Sequence, residues 1–364
     1  MNNNYFNKLQ LCSMLIVLIV VPFIGGGAFS LFKSAGVDAY FSVIIGGIIG
    51  ILNLLLFIYI FNYKRDISIR DKIIILFGKK FGFVINLIIC ILFFTICLFS
   101  MYNLINFIVS QFLAETPMLI IGILFSLVII YINIKGIEVM SRVIFIILII
   151  NISLFFIAVL GLIPHFDFYN LKPVLEFGMK RPLIGSLYLL TMNTAPIYLL
   201  LIIPKNNIIQ NEKVNKWLFV SYIISIIIIL IALILTLGTL GIHLASIYQY
   251  PEYIIFKRIN LFSILDRIEN IIIIQWIFGL YTMVSVTVYY ISNTIKFNNN
   301  SKLLPSVITL IILFTSLYIF SNNTRFNVYA YKYLPILRGS ILILFLIIGI
   351  RICLKKKINK IKSL

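Results

Sequence analysis

Three consecutive glycines, Gly25, Gly26 and Gly27, sit in the apolar run VVPFIGGGAFSLF (residues 20–32), and a second apolar run is interrupted by NTAP (residues 193–196). The chemistry open to such residues is binding. Glycine bares the main chain, proline lacks a backbone donor, and a helix that unwinds at either leaves N–H and C=O groups free to meet a ligand. The positive N-terminal end of a half-helix suits a carboxylate, while freed carbonyls with Asn193 and Thr194 suit an ammonium. The same glycines would equally serve close packing of helices, as small residues often do in membranes.

Catalytic constellations are not visible. No G-x-S-x-G elbow, phosphate loop or deep pair of carboxylates occurs, so an enzyme is not expected. All eleven carboxylates map to loops or to the ends of apolar runs. Proton coupling normally relies on an ionisable group inside the membrane and finds no carrier here, whereas sodium coupling through carbonyls and hydroxyls stays open. Cys12, Cys90, Cys97 and Cys353 lack C-x-x-C spacing and are read as small hydrophobes; His165 and His243 are too few for a histidine metal site. No cofactor or metal is expected. Asp266, Arg267 and Glu269 form a charged cluster that reads either as an interfacial anchor or as a gate or partner contact.

The elements that position these residues are membrane helices. Of 364 residues, 62% are hydrophobic and 11% charged, and the mean hydropathy is +1.12. Apolar runs of about 20 residues, the length that crosses hydrocarbon as a helix, recur throughout, and their lack of alternation excludes a barrel. The expected fold is all-α and integral to the membrane. Ten spans are read at residues 11–31, 41–62, 82–110, 118–134, 143–163, 182–204, 217–241, 269–293, 303–320 and 334–354, within one membrane domain covering 1–364.

Ten spans put both termini on one side. Twenty of the 30 Lys and Arg residues fall on that side and nine on the other, with Arg338 left near the start of span ten and expected to snorkel outward. The positive-inside rule makes the termini cytoplasmic. The net charge of +19 is thereby read as a topology signal and a contact for anionic lipids, not for nucleic acid. Residues 66–82 read as a short basic surface helix, AETP (114–117) as the start of span four, and Glu138 with Arg142 as a helix ion pair.

Five spans precede the long loop at 164–181 and five follow, dividing the domain into repeats of about 10–163 and 182–354. An odd number per repeat inverts the second relative to the first. Span one then corresponds to span six, and both carry an interruption. Paired breaks in two inverted halves point to a transporter-type binding site at mid-membrane.

GGGAFSL (25–31), FLAETP (112–117), YINIKGIEVMSRV (131–143), NLKPVLEFG (170–178) and LDRIENIIIIQW (265–276) follow in an order that resembles the spore germination permease family. Its members are the multispan B-type subunits of germinant receptors, similar to a branch of the amino acid, polyamine and organocation transporter superfamily. The resemblance implies a ten-span, five-plus-five inverted repeat with helices one and six broken, and a ligand pocket between spans one, three, six and eight. By position that pocket would use Gly25, Gly26, Gly27, Leu92, Ile96, Asn193, Thr194, Ala195, Thr282 and Met283. Leu92 also fits ordinary bundle packing, and Pro196 departs from the small residue expected there.

The function implied is a germinant-sensing subunit in the spore inner membrane, binding a small molecule, an amino acid, and signalling to other receptor subunits. An amino-acid permease working by alternating access, or a contributor to an ion-release channel, are the alternatives.

Overall fold

The computed structural model describes residues 6–23, 26–209, 213–258, 273–295, 303–320 and 322–362. Among these the chain is almost wholly helical. Eight helices are long and apolar enough to cross a membrane, and two shorter apolar helices, Lys8–Phe23 and Leu303–Ile319, accompany them. This is an all-α, multi-pass membrane protein.

In chain order the helices are α1 (Lys8–Val20), α2 (Gly26–Ala35), α3 (Ala39–Asn62), α4 (Ile69–Phe77), α5 (Lys79–Gln111), α6 (Met118–Lys135) and α7 (Ile137–Leu162). There follow α8 (Lys180–Leu189), α9 (Val214–Ile247), α10 (Pro251–Phe256), α11 (Ile274–Ile295), α12 (Leu303–Ile319), α13 (Asn323–Val328) and α14 (Leu334–Lys362). The strands β1 (Phe6–Asn7) and β2 (Ile208–Ile209) pair in parallel, Phe6 with Ile208. That short ladder ties the start of α1 to the chain just beyond the sixth span.

Along the first half of α3 small residues face inward and large aliphatics outward. On α3 the inward positions include Gly46, Gly47 and Gly50, while Ile48 and Leu52 are 63% and 68% exposed. In lipid there is no hydrophobic drive between helices, so close contact of small residues takes over, and the large aliphatics are left for the acyl chains. A Cβ on Gly50 would lie 2.0 Å from the Tyr222 hydroxyl, which donates to the Gly47 carbonyl at 2.8 Å. The absent side chain is what lets α3 meet α9 at that contact.

Several boundaries depart from the sequence reading. The surface helix is shorter, Ile69–Phe77, and its Lys72 is buried, donating to the Ile60 and Phe61 carbonyls at the C-terminal end of α3. That contact adds a charged donor at the helix end, where the Ile60 carbonyl also accepts from the Tyr63 N–H. Burial, with Lys205 nearby, pushes the Lys72 ammonium down to about 8. At AETP, α6 starts as expected, with Pro117 as its cap residue. Glu138 and Arg142 pair as expected. Asp266, Arg267 and Glu269 lie outside the described residues.

The last span differs most. Its helix begins at Asn323, eleven residues before the sequence boundary, because the polar stretch from Asn323 onward stays helical through a π-helical turn, Tyr329–Tyr333. Arg338 therefore sits fifteen residues into the helical path, about 22 Å along at helical rise, and cannot reach the interface by snorkelling. It is 1% exposed and turned inward.

Candidate functional site

Pro22 is the physical cause of the first break. It has no N–H to return to the Leu18 carbonyl, and α1 tightens into a 3-10 turn, Val21–Phe23, before the chain restarts as α2 at Gly26. Gly25 lies outside the described residues; Gly26 and Gly27 open the second half-helix. A Cβ on Gly27 would fall 2.2 Å from the Pro22 carbonyl oxygen, so the two halves can approach only because residue 27 has no side chain.

The interruption in the sixth span takes another form. The sequence reading expects unwound chain at Asn193 to Pro196. Instead the span changes pitch, from α8 into a π turn, Leu190–Thr194, and then into a 3-10 stretch, Ala195–Ile202. Pro196 removes the donor that the Met192 carbonyl would use four residues on, and the wider turn absorbs that loss while the chain stays helical.

Side chains from elsewhere reach the main chain at both interruptions. Asn193 Nδ2 donates to the Ile19 carbonyl at 2.7 Å, which ties the end of α1 to the sixth span. Arg338 Nη1 donates to the Met192 carbonyl at 2.6 Å, in place of the N–H that Pro196 lacks. Asn53 Nδ2 reaches Thr194 Oγ1 at 2.9 Å, and the Tyr198 hydroxyl donates to Asn53 Oδ1. Each of these side chains comes from outside the turn it serves, so the two interruptions and spans two and ten form one polar network at mid-bundle.

Of the residues expected to line a pocket, Ile96, Asn193, Thr194, Ala195, Thr282 and Met283 are all buried, and Leu92 is half-buried against the core. The 3-10 stretch of the sixth span packs against α1 and α11, so the site's elements are brought together. Their polar atoms are already engaged: Thr282 Oγ1 donates to the Phe278 carbonyl at 2.8 Å and Thr194 Oγ1 to the Leu190 carbonyl at 2.5 Å. A cavity of about 90 Å³ abuts the first break from another side, with Val20, Val21 and Phe23 facing α7, α9 and α10; its polar lining includes Asn151, Gln275 and Glu252.

Asn53 and Arg338 are absent from the sequence reading of the site. Both leave a signal: an amide alone in the apolar ILNLLLF (residues 51–57), and a proline at position 196 that obliges some outside donor to serve the Met192 carbonyl.

Comparison with known proteins agrees with this architecture. A family model described as spore germination protein matches residues 8–324. Spore germination protein XB of Bacillus anthracis is 21% identical over 268 residues, 73% of this chain and 74% of that protein. Spore germination protein KB of Bacillus subtilis is 26% identical over 264 residues, 70% of this chain and 69% of that one. Crystal structures of a manganese transporter from Eremococcus coleocola superpose with a TM-score of 0.59 at 11% identity, covering 93% of this chain and 76% of the transporter. That likeness carries the transporter fold and says nothing of cargo. With the family model spanning nearly the whole described chain, this protein belongs to the spore germination permease family.

Proposed function

We propose that this chain is the germinant-sensing, transporter-like subunit of a spore germination receptor. It binds a small molecule, an amino acid, where the interruptions of spans one and six meet spans three and eight, and it signals to partner subunits. The reading places it in the spore inner membrane with cytoplasmic termini and anionic lipids around its basic loops.

The observation that carries the reading is the bond from Asn193 to the Ile19 carbonyl. That carbonyl belongs to the broken helix, and a ligand ammonium could compete for it. A germinant that displaces Asn193 would uncouple α1 from the sixth span and favour a different arrangement of the two halves. Signalling requires only that ligand bind one arrangement better than the other.

Spores carrying Asn193→Leu test this. A shift of about tenfold or more in the amino-acid dose response, with the receptor subunits still assembled, is the expected result; it corresponds to about 1.4 kcal/mol of differential binding. An unchanged dose response in assembled receptor sinks the reading.

The transporter fold favours a second reading, an amino-acid permease that alternates access around the same site. Purified chain in liposomes would then accumulate labelled amino acid without any partner. Failure to do so across proton and sodium gradients removes it.

A further inference from the structure

Arg338 does more than its one hydrogen bond needs. A carbonyl orphaned by proline is satisfied by a single neutral donor, and an asparagine or glutamine would supply it. Here a full guanidinium is 1% exposed at mid-bundle, with Nη1 on the Met192 carbonyl and Nε without a hydrogen-bond partner. Among the described residues no aspartate or glutamate pairs with it. Met192 itself lies twelve residues into the span Lys180–Ile202, about 18 Å deep at helical rise, which is near the middle of the hydrocarbon. A buried cation with neither water nor counter-charge is costly, and the chemistry that would complete it is an anion with acceptor oxygens.

Two π turns occur among the described residues, and Arg338 is bonded to Met192 in one and interacts electrostatically with Tyr329 in the other. Tyr329 also lines an open groove with Phe320, Tyr333 and Arg325, at the end of the bundle that the positive-inside reading makes external. Lys33, 4.9 Å from the Tyr331 ring, adds a second cation near that end. Positive charge at the mouth raises the local concentration of anions. A π turn holds one extra residue, and moving that residue along the helix re-aims the side chains beside it; a ligand passing from groove to guanidinium would have to part the Tyr329 hydroxyl from its hydrogen bond with Thr95.

We propose that Arg338 is the carboxylate-binding residue of a site between spans six and ten, entered from the external groove past Tyr329. The planar Nε edge of the guanidinium matches the two oxygens of a carboxylate, so the ligand class is a small carboxylate, either a simple organic acid or a zwitterionic amino acid. Ligand binding there would also load the Met192 carbonyl contact and thus act on the sixth-span interruption directly. For the identity of the molecule that arrives in the spore this rests on the receptor reading above; for binding itself it does not.

The test uses the full-length chain in lipid nanodiscs and follows its melting temperature with propionate, glycine, propionamide and inorganic phosphate, each up to about 100 mM, since state-specific binding stabilises by mass action. Propionate, glycine or both should stabilise the wild type and propionamide should not. Arg338→Lys should weaken the apparent affinity about tenfold or more by losing the planar fork, and Arg338→Met should abolish the shift. Because Arg338→Met also leaves the Met192 carbonyl without its donor, Arg338→Gln, which can still donate to that carbonyl, is measured beside it and should fold yet show no carboxylate shift. As a second readout, Tyr329→Ala should speed the approach to the bound state. Stabilisation by phosphate alone, stabilisation that survives in Arg338→Met, or no shift with any carboxylate overturns the proposal. Spores separate it from the receptor reading. Absent binding with a normal germinant response to Arg338→Met removes the anion site only, whereas binding with that same normal response removes the germinant role of the site.

Discussion

Asn193 Nδ2 lies 2.7 Å from the Ile19 carbonyl oxygen, so a side chain of the sixth span is bonded to the main chain in the last turn of α1. Both residues are fully buried. Asn193→Leu should therefore lower stability by about 1 to 3 kcal/mol, the cost of leaving a buried acceptor unmade. Thermal or denaturant unfolding in detergent measures it. A variant as stable as the wild type would show that the Ile19 carbonyl finds another donor.

At Gly27 the constraint is steric. A methyl group there would sit 2.2 Å from the Pro22 carbonyl oxygen, whereas one on Gly339 would meet only the Thr191 methyl at an ordinary 3.5 Å. Gly27→Ala should destabilise by about 1 to 3 kcal/mol through overpacking against backbone, and Gly339→Ala should be tolerated. Fluorescence-detected size-exclusion profiles after a heating series rank the two; equal profiles would mean the half-helices part without hindrance.

How much of this is legible beforehand follows from which signals are local. The place of the first interruption is local, marked by the glycine triplet, although the same glycines would also suit close packing and Pro22, which removes the donor for the Leu18 carbonyl, is not part of the sequence reading. The form of the second is not: Pro196 subtracts one donor, and a π turn absorbs that without unwinding, a choice made by neighbours such as Asn53 and Arg338 that are far away in sequence. Span ten is misplaced for a related reason. Residues 322–333 carry asparagines, an arginine and tyrosines that read as loop, yet Phe326 stacks on Phe99 of α5 at 4.5 Å and the stretch is held helical by packing. That one boundary moves Arg338 from the interface to the interior, and with it the only buried arginine among the described residues.

Lys72 gives a pH dependence with a definite sign. Its ammonium is pushed to about 8 by burial, against 10.5 for the free side chain. Between those values the unfolded chain binds more protons than the folded one, so stability rises with pH. The cost of holding the charge inside is present in full below about pH 8 and is relieved as pH climbs toward 10.5. Subtracting the melting profile of Lys72→Met from that of the wild type should isolate this rise, since the variant has no ammonium to titrate there. A flat difference across the window would place Lys72 in water.

Cysteine reactivity reports orientation. Cys12, Cys90 and Cys97 are buried and Cys353 is exposed near the C-terminal end of α14. A membrane-impermeant maleimide should label one thiol of four rapidly, and Cys353→Ser should abolish that fast phase. In vesicles of known sidedness, labelling from the cytoplasmic face alone agrees with the proposed topology, and labelling from the external face reverses it.

Asn53 couples spans two and six through two contacts, to Thr194 Oγ1 at 2.9 Å and from the Tyr198 hydroxyl. Tyr198 is also stacked on Phe345 of α14 with ring centroids 4.0 Å apart, so its position does not depend on the hydrogen bond alone. Tyr198→Phe keeps that stacking and removes only the donor, while Asn53→Ala removes both partners at once. Because one residue's loss already breaks the contact, the double variant should be less destabilised than the sum of the singles, with an interaction energy of about 0.5 to 3 kcal/mol. Additivity within error would mean the amide and the phenol act independently, and that the sixth span is held from the second by packing rather than by this network.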